Sequence, residues 1–267
     1  MAKEKNQLAR EGMGVPRVVV ALDYPDLAEA TALVDRLCPF TSWFKIGCQL
    51  FARYGRHAVD ELRRRGCDVF VDLKVNGLPN TDSALARAIL EWQVQLVDIH
   101  STLGERSMRH FMEGLGREGQ RPCVLGVTVL TSHSGVGSLD KYATRAEMVL
   151  RLATRARDAG LDGVVASAGD VGCLKRHLGQ DFLVVTPGIR PVGAALDEQR
   201  QVATPKSAAA AGVDFMVIGR PITRAAGSPV DALKSILDEI EEGREVSSVR
   251  QQHAPGPPGG SYRRVAV

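Results

Sequence analysis

Asp72 and Lys74 stand two residues apart at the end of an apolar run, Val69-Phe70-Val71. In an extended strand, residues two apart point to one side, so a carboxylate and an ammonium would share a face. Charges withdrawn from water at such a place must be paired. A paired lysine there can serve as an acid or as an anchor for a developing negative charge. A plain ion pair closing the strand is the competing explanation. The same kind of residue recurs along the chain. Asp23 follows the apolar run 18–22, Lys45 lies inside Trp43-Phe44-Lys45-Ile46-Gly47, and His100 follows 94–99. Thr131 and Ser132 follow 123–130, and Arg190 and Arg220 follow 182–185 and 215–218.

These residues need elements to hold them. The apolar runs are near-continuous, as parallel strands covered on both faces should be. Helical periods lie between them. Asp26, with Glu29 three residues on, caps the first helix, and Leu27, Ala30, Val34 and Leu37 form its apolar face. Further helices are expected near 54–65, ended by Gly66, and near 82–92, 104–116, 144–159 and 169–178. Thr204-Pro205 and Ser228-Pro229 open the last two, the second ending near Glu242. Eight β–α units in about 225 residues predict a single (β/α)8 TIM barrel. A doubly wound open sheet would want a glycine-rich fingerprint after the first strand, and Asp23-Tyr24-Pro25-Asp26 is not one. The expected organisation is a flexible lead-in over 1–14, a barrel domain over 15–242, and a disordered Pro/Gly/Arg-containing tail over 243–267.

Composition narrows the function classes. The 267 residues carry a net charge of only +3. The stretch from Gly243 onward accounts for it, with Arg244, Arg250, Arg263 and Arg264 against Glu245. The body is therefore near neutral, which argues against a nucleic-acid surface. The cysteines, Cys38, Cys48, Cys67, Cys123 and Cys173, are odd in number and form no C-x-x-C, so reduced thiols are expected. No apolar stretch approaches the roughly 18 residues of a membrane span, and 1–14 lack the apolar core of a signal peptide. A cytoplasmic protein is the expectation.

In a barrel, the loops at the C-terminal strand ends build the site. Asp23, Lys45, Asp72, Lys74, His100, Thr131, Arg190 and Arg220 would meet in one mostly basic mouth. Gly188-Ile189-Arg190 and Gly219-Arg220 offer glycines for close backbone approach and arginines for a bidentate grip on phosphate. A small anionic sugar phosphate or nucleotide is the ligand these features suggest. No metal cluster is evident. His100 is read as structural, and Thr131 and Ser132 as either hydrogen-bonding a planar amide-like group or capping a turn.

At this point the sequence resembles the orotidine 5′-phosphate decarboxylase family. The matching pieces are Ala21-Leu22-Asp23, Phe44-Lys45-Ile46-Gly47, Asp72-Leu73-Lys74 with Leu78-Pro79-Asn80-Thr81, and Val129-Leu130-Thr131-Ser132. Val185-Thr186-Pro187-Gly188-Ile189-Arg190-Pro191, Gln199-Arg200 and Gly219-Arg220-Pro221-Ile222-Thr223 complete the series. The resemblance implies cofactor-free decarboxylation of orotidine 5′-phosphate to uridine 5′-phosphate by a homodimer. It implies Lys74, Asp72 and Lys45 as catalytic residues. Asp23 and Lys45 would hold the ribose hydroxyls, and Thr131 would contact the pyrimidine, with Thr81 among the substrate-binding residues. Arg190, Gln199, Gly219 and Arg220 would belong to the phosphate end and its closing loop. The family pattern is Asp-x-Lys-x-x-Asp-Ile-Pro-Asn-Thr, and Gly77 stands at its second aspartate, after Asn76 where histidine is usual. That aspartate would reach a neighbouring subunit's site and complete an alternating Asp–Lys–Asp–Lys network. Ser101-Thr102-Leu103-Gly104 also departs from the small residues and paired glycines usual after His100. Two readings stay open: an enzyme, at full or reduced rate, or a catalytically impaired relative that binds nucleotide to sense or regulate.

Overall fold

The computed structural model describes residues 16–116, 121–129, 144–194 and 202–252. Eight parallel strands close into a barrel in chain order. They are β1 (Arg17–Ala21), β2 (Trp43–Gly47), β3 (Asp68–Val75), β4 (Leu96–His100), β5 (Cys123–Val127), β6 (Gly163–Val165), β7 (Leu183–Thr186) and β8 (Phe215–Ile218). Closure comes from β8 against β1, with Val20 opposite Ile218. The helices are α1 (Leu27–Leu37), α2 (Cys48–Tyr54), α3 (Arg56–Arg64), α4 (Pro79–Leu90), α5 (Glu105–Leu115), α6 (Arg145–Asp158), α7 (Val171–Leu178), α8 (Pro205–Ala211), α9 (Arg220–Thr223) and α10 (Pro229–Gln252). Among the described residues, no helix is long and apolar enough to cross a membrane.

Strand alternation divides the core in two. Val18, Val20, Phe44, Ile46, Val69, Val71 and Val97 face the helices. Val19, Ala21, Trp43, Phe70, Leu96, Leu125, Val185, Phe215 and Val217 fill the barrel. Trp43 and Phe215 meet edge-on at 4.9 Å, and the Arg17 guanidinium lies 5.6 and 5.5 Å from their ring centres. An aromatic pair of this kind adds about 0.5–1.5 kcal/mol beyond its buried area. At the opposite strand ends the inward parity continues into charged residues. Asp23 follows Ala21, Lys45 follows Trp43, Asp72 follows Phe70, and Asp98 follows Leu96.

The helix starts behave as their residues dictate. Asp26 accepts from Ala28 N–H at 2.8 Å and Glu29 N–H at 3.1 Å. Thr144 and Glu147 form a reciprocal capping box on α6. Thr204 accepts from Ser207 N–H at 3.1 Å ahead of Pro205.

Several boundaries differ from the sequence reading. The helix expected over 54–65 is α3, and a further short helix, α2, precedes it from Cys48 to Tyr54, the two separated at Gly55. The helix after β3 starts earlier, with Pro79 at its first position. The fifth strand ends at Val127 rather than running on to 130. The last helix does not stop near Glu242. It continues to Gln252, so residues 243–252 are helical where a disordered tail was expected. Gly243, within the helix, is a point of close helix approach. A Cβ there would overlap the Lys206 carbonyl oxygen and lie 2.9 Å from Ala209 Cβ. Glycine lets α10 lie directly on α8.

Candidate active site

The site forms because β1, β2 and β3 end side by side. Lys45 Nζ lies 3.1 Å from Asp23 Oδ1 and 3.1 Å from Asp72 Oδ2. Lys74 pairs with the other oxygen of Asp72. The four side chains thus make one alternating row, Asp23–Lys45–Asp72–Lys74. The row runs through the buried interior and opens at its ends. Side-chain exposure is 8% for Lys45 and 13% for Asp72, against 38% for Lys74 and 61% for Asp23. Lys74 is therefore the ammonium free to meet a ligand. Gly47, opposite Asp72 in the β2–β3 register, keeps the row clear: a Cβ there would press on Lys45 Nζ at 3.1 Å.

Electrostatics hold the inner members charged. Burial works against the Lys45 ammonium, but Asp72 and then Asp23 outweigh it and raise its pKa above the ordinary lysine value. Burial also opposes ionisation of Asp72. Lys45, a hydrogen bond from Asp98, and Lys74 overcome it, and the carboxyl sits well below the usual range.

The orientation of Lys74 has a different origin from the one its spacing suggested. Between Val71 and Val75, β3 advances four residues while β4 advances only from Val97 to Ile99. This bulge puts Lys74 in the left-handed region, at φ 50°. Such a conformation costs a residue with a side chain about 1–3 kcal/mol and persists only where its surroundings over-determine it. Asp98 supplies the constraint. It stands between Val97 and Ile99, opposite the bulge, and its Oδ1 accepts the Lys74 backbone N–H at 2.8 Å. Asp98 is 1% exposed. Burial, and then the charge of Asp72, push its pKa well above the usual carboxyl value.

Sequence reading missed Asp98. Its signal was there: two residues on from inward-facing Leu96, in a run too apolar to hold an acid by chance. His100 stands further along the same strand. Its Nδ1 is buried without a hydrogen-bond partner among the described residues, and burial, then Lys74, lower its pKa.

The other expected site residues are placed as follows. Gly219 ends β8 beside β1, and a Cβ on it would lie 3.5 Å from Ala21 Cβ and 3.8 Å from Asp23 Oδ2. Arg220 opens α9 immediately after it. Arg190 is buried. Its backbone N–H donates to the Ala203 carbonyl at 2.8 Å, and its Nη1 donates to the Ile189 carbonyl at 2.9 Å. Thr81 lies in the first turn of α4, exposed. Thr131 and Gln199 lie outside the described residues, as do Ser132 and Arg200. Gly77 faces a carboxylate already: a Cβ on it would overlap Asp82 Oδ1. Asp82 is 1% exposed, and among the described residues neither of its carboxylate oxygens has a regular hydrogen-bond partner. Burial raises its pKa, and the Gly77 backbone opposes the rise.

The chain as a whole has counterparts among known proteins. Residues 16–236 match the model of the orotidine 5′-phosphate decarboxylase / HUMPS family. The chain belongs to that family. Among curated relatives, an orotidine 5′-phosphate decarboxylase of Vibrio cholerae serotype O1 is 47% identical over 85% of this chain and 98% of its own length. One of Chromobacterium violaceum is 48% identical over 84% of this chain and 91% of its own. Among solved structures, orotidine 5′-phosphate decarboxylase from Lactobacillus acidophilus superposes with a TM-score of 0.73 at 33% identity, over 84% of this chain and 99% of that one. Family membership thus covers the barrel and all the charged strand ends described here.

Proposed function

We propose that the chain decarboxylates orotidine 5′-phosphate to uridine 5′-phosphate, a step of pyrimidine biosynthesis. The unbroken row Asp23–Lys45–Asp72–Lys74, in a member of this family, is the observation that carries the reading. In the reaction, the bond from the pyrimidine ring to its carboxylate breaks, carbon dioxide leaves, and the electron pair stays on the ring carbon. Lys74, the exposed ammonium of the row, stabilises that carbanion and gives it a proton. Asp72, held ionised between two lysines, presses against the substrate carboxylate. The repulsion is relieved as carbon dioxide departs, so it favours the transition state over the bound substrate. Lys45 keeps Asp72 in place and, with Asp23, takes the ribose hydroxyls.

The phosphate end is assigned to Arg190, Gly219 and Arg220, by chemistry and resemblance. Thr81, Thr131 and Gln199 keep the substrate roles that the resemblance implies. Phosphate binding energy, spent far from the reacting carbon, would close the loop over the ring and exclude water. A cytoplasmic homodimer is the assembly this reading expects. The impaired-relative reading rests on Gly77 alone, and with no acid at that position Lys74 keeps Asp72 on its ammonium and Asp98 on its backbone N–H.

The test is direct. Purified protein is mixed with orotidine 5′-phosphate, and the loss of ultraviolet absorbance is followed. Catalytic turnover is expected. A protein that binds uridine 5′-phosphate yet consumes no substrate would overturn the proposal in favour of the impaired relative.

A further inference from the structure

We infer that Asp98 is a positioning residue for Lys74, held as a neutral carboxylic acid that does the work of an amide: it accepts from the Lys74 backbone and donates to Asp72. The inference rests on the decarboxylase reading of the same site and adds a member to it. Three observations support it. First, Asp98 lies directly opposite the β3 bulge, and its Oδ1 takes the Lys74 N–H at 2.8 Å, where Lys74 adopts φ 50°. Without that acceptor, the left-handed turn that aims the lysine would lose a fixed contact from β4. Second, among the described residues no cation closes an ion pair with the Asp98 carboxyl, and Lys74 meets it through its backbone N–H. Lys45 and Lys74 each bond to an oxygen of Asp72. On β5, the residue in register with Asp98 is Leu125. His100, on the same strand, is held toward its neutral form. Third, Asp98 is 1% exposed and shares a hydrogen bond with Asp72. Two carboxylates in contact in so dry a place hold one proton between them. Asp72 faces two lysines, so the proton resides on Asp98. The raised pKa of Asp98 and the lowered pKa of Asp72 agree with that division.

The groups that face this pair are Asp72 and Lys74 from β3, Lys45 from β2 beyond Asp72, Asp23 from β1 beyond Lys45, and His100 on β4. An amide at position 98 can make both of Asp98's hydrogen bonds and cannot ionise.

The experiment compares wild type, Asp98→Asn and Asp98→Ala. Asp98→Ala should lower kcat by about tenfold or more, the effect of losing a buried hydrogen bond at the reacting group, with a smaller change in KM. Asp98→Asn should restore kcat to within about threefold of wild type. Thermal midpoints against pH give a readout that needs no turnover. A group with a raised folded pKa contributes stability below its unfolded value, and that contribution is lost as pH rises through the folded value. Wild type should therefore lose stability toward alkaline pH relative to Asp98→Asn. If Asp98→Asn is as damaged as Asp98→Ala, or if its midpoint runs parallel to wild type at every pH, Asp98 is not a neutral positioning acid. If wild type is silent on orotidine 5′-phosphate, the decarboxylase reading fails instead. The stability profiles then still decide the state of Asp98, and the Ala variant's fold is checked on the same scan.

Discussion

Replacing Gly77 with aspartate would give the chain the acid that the family pattern carries at that position. The structure predicts that the single substitution does harm. A Cβ on residue 77 would overlap Asp82 Oδ1. Asp82 is 1% exposed, so its carboxylate has little room to turn aside. Forcing side-chain atoms into a filled site costs about 1–3 kcal/mol. The new carboxylate would also stand against an acid whose pKa is already raised by burial, and like charges at contact add to that penalty. Together these amount to roughly 2–4 kcal/mol, or a drop of about 4–16 °C in the thermal midpoint of a domain this size. Truncating Asp82 to alanine empties the space. The double variant Gly77→Asp/Asp82→Ala should recover most of the lost stability, with a coupling of about 1 kcal/mol or more between the two sites. Asp82→Ala alone should gain on wild type as pH rises, because a raised folded pKa contributes stability only below it. The assay is thermal unfolding of the four proteins over pH, with turnover measured on each. If Gly77→Asp alone is as stable as wild type and the two changes simply add, Asp82 does not occupy that space and the reasoning is refuted.

Three further outcomes are expected. Arg220→Ala should weaken uridine 5′-phosphate far more than uridine in equilibrium titrations, and equal weakening of both would remove Arg220 from the phosphate end. A thiol reagent at mild pH should label exposed Cys48, whose Sγ lies 3.8 Å from the Leu73 carbonyl beside the charged row, and this should reduce turnover in a manner that bound nucleotide prevents. Buried Cys67 and Cys123, each with its thiol pushed up to about 12 chiefly by burial, should react only after unfolding, as peptide mapping would show. Lys175→Met should destabilise the barrel by about 3–5 kcal/mol in denaturant unfolding, because it strips the cation from Asp214, paired at 2.7 Å and also holding the Val184 N–H.

Much of the site was legible because strand parity is a strict rule. Asp23, Lys45 and Asp72 each follow an inward-facing apolar residue by two, so their meeting at one mouth could be foreseen from apolar runs alone. Lys74 was found for a reason that proved incomplete. Alternation places Asp72, but a bulge places Lys74, and bulges leave little trace in an apolar pattern. Asp98 was overlooked because an acid inside Leu96-Val97-Asp98-Ile99 looks like an interruption of a strand, whereas its carboxyl is consumed by the bulge opposite. The last helix runs past its expected end near Glu242 because the Pro/Gly-rich composition that marks a tail begins only at Ala254. Only the position of α8, a tertiary fact, shows that the missing side chain at Gly243 is what lets the two helices touch. Gln199 depends on the resemblance alone.

The measurement that bears most directly on the central claim is single-pot decarboxylation in deuterated water by wild type and by Lys74→Ala, with the pyrimidine product read by NMR. Wild type should consume orotidine 5′-phosphate and place one deuterium on the ring carbon that loses carbon dioxide. Lys74→Ala should bind uridine 5′-phosphate and form no product. Turnover by Lys74→Ala at the wild-type rate would contradict the role given to the row of charges that ends at Lys74.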